Sequence, residues 1–252
     1  MRRDRHTVEL RVLGRFQLLV DGRRTVLPLQ AQRLLALLAI APPDDRATAA
    51  GRLWSDVPQG RAQANLRNAV WQVASLPGPV LVSSRRQVEL DEAVRLDLAE
   101  ARRVARSLAE GRLPEQPAAA VDVLEHDLLP GWDDDDWLTV ERERQRQARL
   151  HALEALSELT RTAGRHGDAV AAAGAAVRAE PLRESAQQAL ISAYLAERNV
   201  GEAVRQFGRY RELLAGELGI RPGEQLAGLL AGLPRAAVRP SPRRPAAAAA
   251  VR

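Results

Sequence analysis

Apolar and polar residues alternate at the start of the chain. Val8, Leu10 and Val12, and then Phe16, Leu18 and Val20, each fall on every second position, the period that puts them on one face of an extended strand. Asp21 and Gly22 supply a tight turn, and Val26, Leu27 and Leu29 resume the apolar pattern, which predicts a small N-terminal antiparallel sheet. The period then changes. Leu34, Leu35, Leu37, Leu38 and Ile40 form a short apolar helix that Pro42 and Pro43 terminate, and a second short helix ends near Leu53 and Trp54. After the loop SDVPQG a third helix runs over about 61–76, closed by Pro77, Gly78 and Pro79. VLVSS and VEL read as two short strands around the basic turn RRQ. From Val94 the pattern is helical almost to Leu233, with helices expected over 96–109, 118–128, 137–162, 168–179, 183–198, 200–215 and 224–230. Residues 234–252 mix proline, alanine and arginine without periodicity and are expected to be disordered.

Inside the helical part the sequence repeats itself. GDAVAAAGAAVRAEPL from Gly167 and GEAVRQFGRYRELLAG from Gly201 start 34 positions apart, the period of tetratricopeptide repeats, in which each helix pair buries its apolar face against the next. With Pro181 as the terminal proline of the first repeat, Ala169, Ala173 and Ala176 correspond to Ala203, Phe207 and Tyr210. Tyr194 takes the aromatic position of the preceding helix, and Ala152, Ala155 and Leu156 correspond to Ala186, Ala189 and Leu190. An alanine-rich bundle would also be helical, but it would not keep the offset.

Sheet, three helices and a terminal hairpin, in that order, describe a winged helix carrying an extra N-terminal sheet. The fold class expected is mainly α. A winged-helix domain with a small β-sheet and wing hairpin occupies 1–93, an all-α repeat domain 94–233, and the tail 234–252.

Charge separates the same parts. Residues 1–110 carry 18 Arg against 12 acids, residues 111–233 carry 14 Arg against 20 acids, and the tail has five Arg and no acid. A basic front half and an acidic repeat half call for different partners, nucleic acid for the first and protein for the second. Lysine is absent, a bias that fits a GC-rich genome, so arginine enrichment alone argues nothing about phosphate. Cysteine is absent too, which excludes disulfides and thiolate metal sites and fits a reducing cytosol. The opening MRRDRHTVEL contains no signal-peptide apolar region, and charges interrupt every apolar run before membrane-spanning length. The expectation is a soluble, cytoplasmic protein with no membrane association.

LPLQAQRLLALLAIA, AQANLRNAVWQVASL, the hairpin VLVSSRRQVEL and the acidic step RLDLAEARRVA resemble the winged-helix half of the actinobacterial AfsR and SARP-type transcriptional activators. LLPGW, AEPLRE and ELGIRP carry the similarity on through the bacterial transcriptional activator domain, so that it covers nearly all of residues 8–233. The resemblance implies an OmpR-like domain binding double-stranded promoter DNA. It also implies a tetratricopeptide-like domain that supports a homodimer or contacts RNA polymerase or another protein. The P-loop GxxxxGK[ST] cannot occur in a chain without lysine, so the ATPase module of longer family members is not expected, and no cofactor is implied.

A helix-turn-helix lays its last helix in the major groove. On that helix Leu66, Val70 and Val73 are expected to pack inward, leaving Arg61, Asn65, Asn68, Gln72 and Ser75 near the opposite face. Asn and Gln amides pair with adenine, and Arg with guanine or phosphate. Arg67, on the flank, is a phosphate candidate, and Trp71 is expected at the core boundary. Arg85 and Arg86, at the hairpin turn, either enter a minor groove, touch phosphates or form a solvated turn. One departure stands out: where related activators commonly have a basic cluster, this helix ends in Gln72, Val73, Ala74 and Ser75. Fewer cations release fewer counterions, so binding is expected to be weak or to require a dimer.

Other chemistry is sparse. The acidic run Asp133 to Asp136 lacks the spacing of an EF-hand and is expected to cap the helix that follows. His126, His151 and His166 show no zinc spacing, and no catalytic constellation can be assembled, so the chain is not expected to be an enzyme. A sequence-specific transcriptional regulator, working as an activator, is the leading reading. A protein-interaction adaptor with a degenerate winged helix is the alternative. A third reading places an anionic ligand against Arg183, Arg205, Arg209 and Arg211 in the groove of the repeats.

Overall fold

The computed structural model describes residues 6–132 and 135–231. The tail 234–252 and the first two aspartates of the acidic run lie outside them. The chain divides into two compact units, the first ending at Ala155 and the second starting at Leu156.

In the first unit, β1 (Val8–Arg11), β2 (Gln17–Val20) and β3 (Arg23–Thr25) pair antiparallel in sequence order. Asp21 and Gly22 both take positive φ, 52° and 74°, as a two-residue hairpin turn that follows strand twist requires. Their carriage of φ is the local reason β2 and β3 meet in register. A fourth strand was not legible in the residue pattern. β6 (Arg95–Leu96) pairs parallel with β1, giving the order β3-β2-β1-β6, so the sheet is mixed rather than antiparallel throughout. The Asp97 carboxylate, next in sequence, accepts the N–H groups of Val12, Leu13 and Leu98. Burial pushes its pKa up, against the pull of those three donors.

Helix α1 (Leu29–Ile40) starts directly after Pro28, five residues before the apolar run. Val26 and Leu29 are exposed, and only Leu27 of that trio enters the core. Leu34, Leu37 and Leu38 of α1 pack on α2 (Arg46–Leu53) and α3 (Gln59–Ala74), while Ala31, Leu35 and Ala39 face the sheet. The wing is the hairpin of β4 (Leu81–Ser83) and β5 (Val88–Leu90), whose Val88 joins the helical core.

Helices α4 (Asp97–Ala109) and α5 (Pro117–Leu124), with α6 (Asp136–Thr162) up to Ala155, belong to this unit as well. The segment LLPGW shows how they are held to the sheet. Leu13 bridges Leu128, Leu129 donates its N–H to Val12 O, and Gly14 donates to Asp127 O. Leu128 and Leu129 are buried in the core of the sheet, and Trp132 stacks on Phe16 with ring centroids 5.8 Å apart. From α6, Arg142 donates to the carbonyls of Leu128 and Leu129.

The second unit contains the rest of α6, with α7 (His166–Ala179), α8 (Glu184–Ala196), α9 (Val200–Glu217) and α10 (Glu224–Ala231). Ala169, Ala173 and Ala176, and one period later Ala203 and Tyr210, are buried, with Phe207 half-buried. The repeat register is therefore a packing register. Two motifs converge on Glu184, whose carboxylate accepts the Gly223 N–H at 3.0 Å, directly after ELGIRP, and the Tyr210 hydroxyl at 3.4 Å.

Candidate nucleic-acid interface

Helix α3 buries a row of Ala62, Leu66, Ala69 and Val73, spaced at four, three and four residues. Val70 is only half-buried, so Ala62 and Ala69 do the packing expected of it. Arg61, Arg67, Asn68 and Ser75 are exposed on the outer side. Asn65 and Gln72 are half-buried, and the Gln72 side-chain oxygen is shut off from solvent without a hydrogen-bond partner. Ser75 turns its hydroxyl back to the Gln72 carbonyl at 2.8 Å. The last turn of α3 holds no basic side chain.

Trp71 corrects the expectation of a core boundary residue: it is 73% exposed. At 100° per residue it lies about 170° round the helix from the middle of the buried row. A large apolar ring therefore stands in the centre of the outer face, between Arg67, Asn68 and Ser75.

Hydrogen bonds close the wing turn and tie it to α2. The Ser84 hydroxyl accepts N–H groups from Arg86 and Gln87 across the turn, while the Ser84 N–H donates to Gln87 O. Arg46, first residue of α2, donates its N–H to Arg86 O at 2.8 Å and its guanidinium to the Ser83 hydroxyl at 2.7 Å. Asp45 caps the same helix by accepting the Thr48 N–H at 2.7 Å, which holds its carboxyl below the usual range. A cleft of about 750 Å³ lies between these parts, lined by Arg46, Arg67, Arg85 and Arg86 with Gln63 between them. Among the described residues, Asp45 is the only carboxylate on its wall. Arg67 and the wing arginines were expected at such a surface, whereas Arg46 and Gln63 were not. Nothing local marks those two, because the fold of the wing against α2 is what brings them there.

The remaining candidates resolve differently. Asp135 is not a simple helix cap: it is 6% exposed and takes a bidentate pair from Arg33 of α1, with N–O distances of 2.5 and 3.1 Å. It also accepts the Trp137 indole N–H at 3.0 Å. Asp136 does begin the helix. Among the repeat arginines, Arg205 pairs with Glu202, Arg209 donates to the Gln206 amide oxygen and Arg183 to the Ser185 hydroxyl, so three of the four have partners close by in sequence. Among the described residues, no group of three or more His, Asp or Glu can hold a metal ion, and no helix is long and apolar enough to cross a membrane.

Residues 90–233 match the family described as the bacterial transcriptional activator domain. The chain is 30% identical to the regulatory protein AfsR of Streptomyces coelicolor over 230 residues, 85% of this chain and 23% of that protein. It is 28% identical to AfsR of Streptomyces griseus over 211 residues, 79% of this chain and 22% of that one. The chain thus spans about a quarter of the length of these curated relatives. Its fold is similar to that of Mycobacterium tuberculosis EmbR, solved in complex with a low-affinity phosphopeptide. The TM-score is 0.63 at 23% identity, over 89% of this chain and 64% of that one.

Proposed function

Because the chain belongs to the bacterial transcriptional activator domain family, in its AfsR/SARP branch, we propose that it is a sequence-specific DNA-binding transcriptional regulator that works as an activator. Helix α3 enters the major groove of promoter DNA, and the wing lies along the adjoining backbone. The observation that carries this reading is the cleft between α2, α3 and the wing, where four arginines face a single carboxylate that is already engaged as a helix cap. Phosphate contacts from Arg67, Arg85 and Arg86 fix position, Arg61 extends the cationic edge, and Asn68 reads a base edge. Asn65, Gln72 and Ser75 have less to offer a base. The first two are half-buried and the hydroxyl of the third is turned to a carbonyl.

The repeat domain binds protein, either a second copy of the chain or the transcription machinery, including RNA polymerase. A homodimer would add a second half-site and offset the uncharged end of α3. That uncharged end also favours a second reading, an adaptor whose winged helix docks protein instead of DNA. Binding to a protein partner with no specific DNA site recoverable at low salt would favour the adaptor, and replacing Asn68 with alanine tests the base reading. The regulator loses about 1–3 kcal/mol of specific binding, with non-specific binding unchanged. Equal affinity of N68A and wild type for every fragment tested rejects the role of Asn68.

A further inference from the structure

Away from the wing, the first unit has a pocket of about 350 Å³ between α4, α5 and the front part of α6. Its walls are apolar, built from Ala105, Leu124 and Ala152 among others, and its cationic groups are Arg102, Arg106 and Arg149 with His151 at the side. Among the described residues, no carboxylate lines it.

The three arginines are not equally engaged. Arg102 is half-buried, gives one N–H to Ile40 O at 3.0 Å, and has its pKa pulled down chiefly by burial. Arg149 is 3% exposed and uses two nitrogens on Glu125 O and Asp127, but its Nε is buried without a partner. A buried charged donor left unmatched is costly unless something accepts from it. Arg106 is exposed and forms no ion pair among the described residues.

We propose that this pocket binds a small amphipathic carboxylate, with its apolar body against the alanine and leucine walls and its carboxylate among the arginines. A volume of 350 Å³ lies in the range of small-molecule sites, which combine mostly apolar walls with a few convergent polar groups. It is too small for a partner helix of about 10 Å diameter to enter along its length. Guanidinium groups recognise carboxylates by charge-assisted hydrogen bonds, and although Asp127 pairs with Arg149 and Glu141 lies in the field of Arg102, the Arg106 guanidinium and the Arg149 Nε are left to a ligand. The site uses none of the residues of the wing cleft, so it stands or falls independently of DNA binding.

Equilibrium dialysis of the whole chain against labelled octanoate, with octanol as the uncharged counterpart, tests the proposal. One octanoate binds per chain, saturably, and octanol binds at least tenfold more weakly. R106Q, at an exposed position, keeps the wild-type circular dichroism and weakens octanoate at least fivefold. A105L, which fills the wall, weakens octanoate and octanol alike. Uptake that does not saturate, equal binding of octanol, or unchanged octanoate affinity in R106Q overturns the assignment.

Discussion

Replacing Asp135 with alanine removes the acceptor for two partners at once. Arg33 loses a bidentate carboxylate, and the Trp137 indole N–H loses its bond. Breaking a buried pair from one side costs about 3–5 kcal/mol because the remaining charge is stranded. Arg33 retains 20% exposure of its side chain, so water recovers part of that penalty, while the stranded indole adds about 1 kcal/mol. D135A is therefore expected to lose about 3 kcal/mol. D135N, which keeps an amide oxygen for the indole and for one Arg33 N–H, loses about 2 kcal/mol by the same reasoning. The double variant R33M D135N removes the charge along with its acceptor and is expected to lose less than D135A. All four tryptophans, at 54, 71, 132 and 137, lie in the first unit, so their fluorescence in urea follows that unit alone. With a slope of about 2–3 kcal/mol/M, D135A lowers the midpoint by about 1 to 1.5 M. A loss below about 1 kcal/mol in D135A, or a double variant as unstable as the sum of R33M and D135N, refutes the reading of this pair as a buried clamp between α1 and α6.

Three further outcomes follow from the same physics. R85Q R86Q lowers the slope of log affinity against log salt by about 2, at about 0.9 per phosphate contact, measured by fluorescence anisotropy on one bound fragment; an unchanged slope means the wing does not touch phosphate. The Tyr210 hydroxyl is pushed up to about 12 by burial and by Glu184 beside it. A tyrosine ionising near pH 12 is thus expected in absorbance titration, and Y210F removes it. Since an unfolded tyrosine ionises near 10, the stability tied to this group is full below pH 10 and is lost between about 10 and 12. Finally, Gly78, in the turn after α3, has φ 91°, and an added Cβ would lie 2.7 Å from His6 Cβ. G78A is expected to cost more than about 1 kcal/mol in the same urea assay, and a neutral result would show that the turn relaxes freely.

Elements that depend on local pattern were legible in the residues, and those that depend on distant partners were not. The alternation at Val8 and Leu18, the turn at Asp21 and Gly22, and the alanines repeating from Ala169 to Ala203 all report their own neighbours. β6 is two residues long and exists because Leu96 meets Leu10 across the fold. Asp135 looks like a cap in a run of acids, since nothing near it reveals Arg33, which lies 102 positions away. Trp71 misleads for another reason: a large apolar ring ordinarily argues for the interior, yet the buried row of α3 needs only Ala62, Leu66, Ala69 and Val73. In the candidate interface the helix and the wing arginines could be named from the sequence, but Arg46 joins them through its N–H and guanidinium bonds to the wing, which no local pattern announces.

Selection of bound fragments from sheared genomic DNA by the purified chain, followed by a salt titration on the best fragment, tests the central claim most directly. A recurring motif is expected, with affinity falling steeply as salt rises, and with two spaced half-sites if the chain binds as a dimer. Recovery of no motif at low salt and high protein concentration would contradict a DNA-reading winged helix.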